Sequence, residues 1–346
     1  MKHLLLLLVL LVFVLNACDH DNEKATIVTS FPQTGKLQAQ VTQLPVPVLL
    51  PRYMGIVGEK LVVYKEKEEK LFSLFNLPDC SYIGDMGNRG QGPNDFNLLD
   101  TRSFYLYENE FKVLEVGSNL LKTVAIQNNE LKVVNNQSVF EQGISNNGFY
   151  PLADDIYLTL GRLDEENEYC LLNEKTGEII KTDIYPNWVE IKRKKNTPPL
   201  FVTYLKTCVV HPNGKKFASF YARFKHLRIY DQNAHLLHDI DVQIEPYSTN
   251  FEEEVQYQSG YYMGQPYATN DHIYILCENS NPRNTKKDNH CELQVWTWEG
   301  RAIACFEFDR KISLMAISRK YNKLYALDNS IENEIYIYDL PKIKEK

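Results

Sequence analysis

Short apolar runs separated by polar breaks recur along the chain after residue 60, and they come in pairs. Val, Ile, Leu, Tyr and Phe dominate these runs, a composition typical of β-strands. The six pairs are residues 61–64 and 71–75, 104–107 and 111–116, 156–160 and 169–172, 217–221 and 227–230, 273–276 and 293–296, and 324–327 and 335–338. The pattern therefore predicts an all-β chain in which one small unit is repeated six times.

The pairs follow one another at roughly 40–60 residues, the spacing expected of propeller blades. Most pairs can be extended by a strand on each side, as with residues 207–210 before the turn at Pro212-Asn213-Gly214. Glycine accepts positive φ in such turns without steric cost. We predict a six-bladed β-propeller of four-stranded antiparallel sheets over residues 43–346. Two β-sandwiches are the alternative, which is disfavoured because the repeat does not break near the middle of the chain.

A ring of blades must close, and the sequence offers one candidate for the closing strand. Residues 45–50, Pro-Val-Pro-Val-Leu-Leu, lie before the first blade. They are expected to supply the outer strand of the last blade, where their prolines are tolerated only at an edge.

The first 17 residues have the pattern of a secretory signal peptide. Lys2 is followed by an apolar run over residues 4–15, which is short for a membrane span. Leu15-Asn16-Ala17-Cys18 resembles the lipobox of bacterial lipoproteins, which implies cleavage before Cys18 and lipid on its thiol. An ordinary signal peptide with a chance cysteine and an uncleaved signal anchor are the alternatives.

Residues 18–42 are expected to form the lipidated N-terminus and a flexible tether. Residues 19–24, Asp-His-Asp-Asn-Glu-Lys, are polar and acidic. An acidic stretch after the cysteine resembles surface-export signals in lipoproteins of the Bacteroidetes group, and a plain linker is the other interpretation. The expected location is outside the cytoplasm, on a membrane held through lipid, with the outer membrane and its surface implied by the resemblance.

Composition narrows the classes of partner. The formal net charge of −7 does not suggest nucleic-acid binding, which needs a basic face. The 44% of hydrophobic residues indicates a folded core. The propeller is expected to be monomeric. The six cysteines after Cys18 match no zinc spacing. We expect buried free thiols, and if one bridge forms we favour Cys277–Cys291, which flank a polar loop between two predicted strands.

One glycine-rich segment carries a family resemblance. Residues 87–96 read Gly-Asn-Arg-Gly-Gln-Gly-Pro-Asn-Asp-Phe. This resembles a segment of the TolB-like six-bladed propeller lipoproteins of Bacteroidetes, as do residues 296–301 and the turn at 211–216. The resemblance covers residues 43–340 and implies the propeller fold more than any activity.

The same segment has two interpretations. It lacks the Gly-Lys-Ser/Thr ending of a phosphate-binding loop, and no helix pattern follows it. We interpret it as a structural connection between blades, formed by Gly90, Gly92, Pro93 and a buried Phe96. The other interpretation is a loop that presents Arg89 to a ligand.

No catalytic motif stands out. Gly-x-Ser-x-Gly and His-Glu-x-x-His are absent and the eight histidines have no metal-ligand spacing, so no catalytic residue, metal or cofactor is expected. Propellers usually bind at the mouth of the central channel, through loops of several blades. Arg52, Arg89 and Arg162 lie near predicted strand or loop boundaries and are the candidates to line that mouth.

Two functions from different classes fit these observations. The first is a binding or scaffold module, anchored to the cell envelope by lipid, for an envelope protein, a peptide or a glycan. The second is an extracellular hydrolase or lyase of polymers with its site at the central channel, which rests on analogy with other propellers. A cluster of carboxylates in the channel distinguishes the two.

Overall fold

The computed structural model describes residues 25–139, 148–153, 155–160, 166–189, 198–247, 257–280 and 291–344. The strands are β1 (Thr26–Val28), β2 (Gln33–Leu37), β3 (Gln40–Gln43), β4 (Pro51–Val57), β5 (Lys60–Lys65), β6 (Lys70–Asn76), β7 (Ser81–Asn88), β8 (Tyr105–Leu106), β9 (Glu110–Glu115), β10 (Leu120–Gln127), β11 (Glu130–Ser138), β12 (Phe149–Pro151), β13 (Ile156–Leu160), β14 (Asn167–Asn173), β15 (Ile179–Ile184), β16 (Lys206–Val210), β17 (Lys216–Tyr221), β18 (His226–Asp231), β19 (Leu236–Val242), β20 (Tyr267–Ala268), β21 (His272–Cys277), β22 (Glu292–Thr297), β23 (Ala302–Phe308), β24 (Leu314–Ser318), β25 (Lys323–Leu327) and β26 (Glu334–Asp339). A four-residue helix, Leu200–Thr203, precedes β16. Within these ranges no helix has the length and apolar character needed to cross a membrane.

The strands form six sheets arranged as the blades of a ring, which confirms the predicted six-bladed propeller. From the axis outward, the blades are β4–β7 (blade 1), β8–β11 (blade 2), β12–β15 (blade 3), β16–β19 (blade 4), β20–β23 (blade 5) and β24–β26 with β3 (blade 6). Blades 4 and 5 each carry a fifth strand at the outer edge, β1 and β2 respectively, which pair in parallel. The expectation of four antiparallel strands therefore holds in full for the other four blades.

We call the end of the ring at which the first strand of each blade begins the upper face. Because successive strands of a blade are antiparallel, the upper face also carries the turn between the second and third strands and the end of the fourth. Residues 66–69, between β5 and β6, therefore lie on the same face as Arg52 at the start of β4.

The N-terminal segment, residues 25–43, runs around the outside of blades 4, 5 and 6. We call it the strap. Its strands β1 and β2 lie against β19 and β23, and β3 pairs antiparallel with β26 to complete blade 6. The last blade thus contains strands from both ends of the chain, and this pairing closes the ring.

The strap corrects two expectations. The flexible tether expected over residues 18–42 is β-structure from Thr26 onward, and its earlier part lies outside the described residues. The closing strand is Gln40–Gln43 and not residues 45–50. Pro45 and Pro47 have no N–H for a ladder, so these residues turn instead. The Leu44 N–H donates to the Asn333 carbonyl (2.8 Å) at the start of this turn.

The core lies between neighbouring blades. One apolar cluster fills each of the six interfaces, and the cluster between blades 4 and 5 contains Trp296, Tyr262 and Phe31 of the strap. Sheets covered on both faces read as continuous apolar runs, as in β21, where all six residues are buried. Five of the six pairs identified in the sequence are the second and third strands of a blade. The pair at 104–107 and 111–116 corresponds to β8 and β9, the first and second strands of blade 2.

The cysteines of the propeller are free thiols. Cys80, Cys170, Cys208, Cys277 and Cys291 are buried and Cys305 is half-buried. The bridge favoured between Cys277 and Cys291 is not formed. The Cys291 thiol instead lies 3.5 Å from the Ile312 carbonyl oxygen, which it can use as an acceptor.

Candidate functional site

A cavity of about 170 Å³ opens near the ring axis on the upper face. Its lining comes from the starts of inner strands and from loops between blades. The lining residues are Arg52, Thr101, Arg102, Leu205, Lys206, Thr207, Ala222, Tyr262, Met263, Gly264, Gln265 and Leu314. They belong to blades 1, 4 and 6 and to the loops that enter blades 2 and 5. The ring geometry therefore brings together residues that are more than 250 positions apart in the sequence.

Three cations line this cavity, each with a carboxylate partner. Arg52 pairs with Glu66 (Nε to Oε2, 2.8 Å) and Arg102 with Asp100 (Nε to Oδ1, 3.5 Å). The Arg52 side chain is 48% exposed and that of Arg102 is 25% exposed, so both guanidinium groups are accessible from solvent. A guanidinium has five N–H donors, so the contact of Arg52 with Glu66 through Nε leaves donors for a ligand.

The loop that carries Arg102 is held in place by buried hydrogen bonds. The Asp100 carboxylate accepts from the Ser103 hydroxyl (2.7 Å) and from the Gly148 N–H (3.0 Å). Across the axis, the Gln265 side-chain amide donates to the Thr101 carbonyl. The loops before blades 2 and 5 are thereby joined at the cavity wall.

The third cation, Lys206, is buried between blades 3 and 4. Its Nζ lies 2.9 Å from Oε1 of Glu168, which is fully buried. The Tyr221 hydroxyl donates to the same oxygen at 2.6 Å. Burial, together with the charge of Glu168, raises the pKa of Tyr221 well above its usual value, so the hydroxyl keeps its proton. The rings of Tyr169 and Tyr185 also approach Nζ, each at 5.0 Å. Lys206 is thus a fixed part of the wall and less available than the two arginines.

The structure places the predicted site residues in different positions. Arg52 lines the cavity. Arg89 is exposed and is not among the residues that line the cavity. Its guanidinium donates to the carbonyls of Glu66 and Glu68 in the turn between β5 and β6. Arg162 and Cys18 lie outside the described residues.

Arg102 and Lys206 were not identified from the sequence. The available signal was the position of Arg52, a cation at the start of a first strand. Lys206 likewise stands at the start of the first strand of its blade, β16. The strand predicted from the sequence started one residue later, at Thr207. Arg102 follows the glycine-rich segment, in the loop that leads into the next blade.

The glycine-rich segment connects blades 1 and 2. Phe96 is buried and packs edge-on against Phe72 of β6, with ring centroids 5.2 Å apart. The Asp95 carboxylate folds back to accept from the Gly92 N–H (3.1 Å), and the Pro93 carbonyl accepts from the Asn136 side chain (3.1 Å). Gly90 and Gly92 face the Asp95 carboxylate, and a Cβ on Gly92 would lie 2.7 Å from its Oδ2. Any side chain at these two positions would displace Asp95.

We expect Gly90→Ala to lower the free energy of unfolding by about 1–3 kcal/mol, since the new methyl group overlaps the Asp95 carboxylate. Urea denaturation followed by tryptophan fluorescence measures the change. Gly84→Ala is the matched control, because its methyl group would meet only the flexible end of Met86 at 3.6 Å. Equal stabilities of the two variants would contradict the close packing described for this segment.

The described residues contain no group of three or more His, Cys, Asp or Glu side chains that could hold a metal ion. His211, in the turn before β17, accepts from the Asn213 N–H at Nδ1 (3.1 Å), and its Nε2 lies 3.1 Å from the Asn270 carbonyl oxygen. It therefore has a structural role in that turn.

The chain is similar to known proteins in sequence and in fold. Residues 30–320 match the family described as TolB-like 6-blade propeller-like. No curated protein matches the chain. A solved structure of a member of the DUF4221 family from Bacteroides vulgatus is similar, with a TM-score of 0.58, 13% identity, and coverage of 90% of this chain and 99% of that one. A protein of Bacteroides fragilis to which export is ascribed is similar with a TM-score of 0.53, 11% identity, and coverage of 92% and 100%. At these identities the likeness concerns the fold.

Proposed function

Because the chain belongs to the TolB-like six-bladed propeller family, we propose that it is a binding module of the cell envelope, anchored by lipid on Cys18, that takes its ligand in the upper-face cavity. The ligand group is a compact anion, in the first place a carboxylate, carried by an envelope protein, a peptide or a glycan. No cofactor takes part. The location rests on the signal and lipobox pattern of residues 1–18 and on the export ascribed to one structural relative.

The observation that carries this proposal is the pair of accessible guanidinium groups in one small cavity. Arg52 and Arg102 approach it from blade 1 and from the loop into blade 2, and the described residues that line it include no carboxylate. Arginine binds carboxylates through two parallel N–H donors, which gives both affinity and orientation. The wall around the cations is partly apolar and includes Leu205, Met263 and Leu314. Such a wall suits an anionic group carried on a small carbon skeleton.

The ligand test uses immobilised residues 19–346 and an array of peptides and glycans. Each acidic member is paired with its amidated or neutral counterpart. We expect binding of acidic members, and at least a tenfold weaker affinity for the double variant Arg52→Ala, Arg102→Ala, because charged hydrogen bonds contribute about 1.5–3 kcal/mol. Arg301→Ala is the control, since that exposed residue lies in the turn before β23, on the opposite face of the ring. Binding that ignores the charge of the array members, or that survives in the double variant, would refute the site.

The anchor is tested separately by cell fractionation. Cys18→Ala is expected to move the folded propeller from the membrane fraction to the soluble fraction. A Cys18→Ala protein that is cleaved after the signal and still sediments with membranes would show that lipid on Cys18 is not the anchor.

A further inference from the structure

The outer strands of blades 3 and 4 carry exposed aliphatic side chains that face the gap between the two blades. Ile180 of β15 lies opposite Leu171, and Leu236 of β19 lies opposite Tyr230. Leu171 and Tyr230 both pack in the cluster between blades 3 and 4. Directly opposed residues of a sheet share a face, so Ile180 and Leu236 point into the gap between the two blades. Ile180 is 51% exposed and Leu236 is 36% exposed.

The strap adds one exposed aliphatic side chain on the same side of blade 4, next to Asp241 of β19 and separated from Leu236 by Asp239. Ile27 of β1 lies beside Asp241 of β19, while Ile240 and Val242 pack toward blade 5. Side chains alternate along a strand, so Asp241 and Ile27 face blade 3. Ile27 is 57% exposed. We call Ile27, Ile180 and Leu236 the rim patch.

The strap also begins at this patch, and that limits what can cover it. Only six residues lie between Cys18 and Ala25, where the described strap starts on blade 4. The seven Cα–Cα steps from Cys18 to Ala25 span at most about 25 Å. If Cys18 carries lipid, as the proposed function states, the outer edge of blade 4 stays within that distance of the bilayer. Aliphatic side chains held so close to lipid gain free energy by entering the interfacial layer.

From this placement we propose that the rim patch lies against the lipid surface. The ring then stands on its edge, with blades 3 and 4 toward the bilayer and blades 1 and 6 away from it. The axis of the ring runs along the membrane plane, so the upper-face cavity opens sideways to ligands that are themselves membrane-attached. This orientation rests on the proposed anchor and not on the proposed ligand.

The test couples the chain to vesicles chemically, so that it does not depend on lipidation in cells. Purified residues 18–346 with Cys305→Ser are joined through the Cys18 thiol to a maleimide lipid, since the other five cysteines are buried. The vesicles are phosphatidylcholine with a small fraction of diazirine-bearing phosphatidylcholine. After illumination, mass spectrometry locates the labelled peptides.

We expect label in residues 179–184 and 236–244 at several times the level in β11 of blade 2. Val134 of β11 is the matched reference, because it is 51% exposed on another outer strand. The double variant Ile180→Ser, Leu236→Ser should lose most of the rim label, whereas Val134→Ser should leave it unchanged. Label spread evenly over β11, β15 and β19, or absent from the rim, would overturn the proposal. A dimeric mass of the uncoupled chain would also overturn the proposal if the double variant abolished that dimer. The rim patch would then bind a second copy of the chain.

Discussion

Removal of the strap, residues 25–43, is expected to prevent the propeller from folding cooperatively. The strap supplies the outer strand of blade 6 and buries Phe31 and Leu37 in the interfaces of blades 4, 5 and 6. Each of these side chains contributes about 2–5 kcal/mol, and a domain has only about 5–15 kcal/mol in total. A purified chain that starts at Leu44 should therefore lack a sharp thermal transition and be cut rapidly by protease.

A point substitution tests the same contact in a folded chain. Phe31 packs edge-on against Trp296 with ring centroids 5.1 Å apart, so Phe31→Ala should cost about 3–5 kcal/mol. Ile27→Ala on the same strap is the control, because Ile27 is exposed and should change stability by less than about 0.5 kcal/mol. Denaturant titration measures both. A truncated chain that melts at the temperature of the full one would show that the strap is only a tether.

The strap marks the limit of what the sequence can predict about this fold. Blades were predicted because their middle strands are buried on both faces and read as apolar runs. The strap strands Thr26–Val28 and Gln40–Gln43 are only three and four residues long and largely exposed, and their partners lie about 200 to 300 residues away. A local pattern has no signal for such pairing, so the apolar residues 45–50 were the stronger candidate on sequence grounds.

The candidate site shows the same limit for a different reason. Arg52 was expected at the channel mouth because it stands at the start of a strand, and it lines the cavity. Arg89 was also expected there because it lies near a predicted boundary of a strand or loop, but its guanidinium donates to backbone carbonyls of its own blade. Which cations converge depends on the closing of the ring, and closure depends on the strap.

Breaking the ion pair between Lys206 and Glu168 is the second change with a large expected effect. Glu168→Gln should cost about 3–5 kcal/mol, because it leaves the Lys206 ammonium buried without a countercharge. Lys206→Met should cost less, because Nη1 of Arg228 still lies 3.8 Å from Oε2 of Glu168. The exposed pair of Lys36 and Glu307 (3.2 Å) is the control, and Lys36→Met should cost no more than about 1 kcal/mol.

The double variant Lys206→Met, Glu168→Leu decides what the buried pair contributes. If Glu168→Gln is unstable because it leaves the Lys206 charge unpaired in an apolar setting, removing both charges should recover most of the lost stability. Ligand affinity should not recover in parallel, since Lys206 also forms the cavity wall next to Thr207 and Ala222. Denaturant titration and array binding on the same four proteins separate the two effects. A double variant that loses the sum of the single costs would mean that each residue stabilises the interface of blades 3 and 4 independently, through the aromatic rings around Lys206 rather than through its charge.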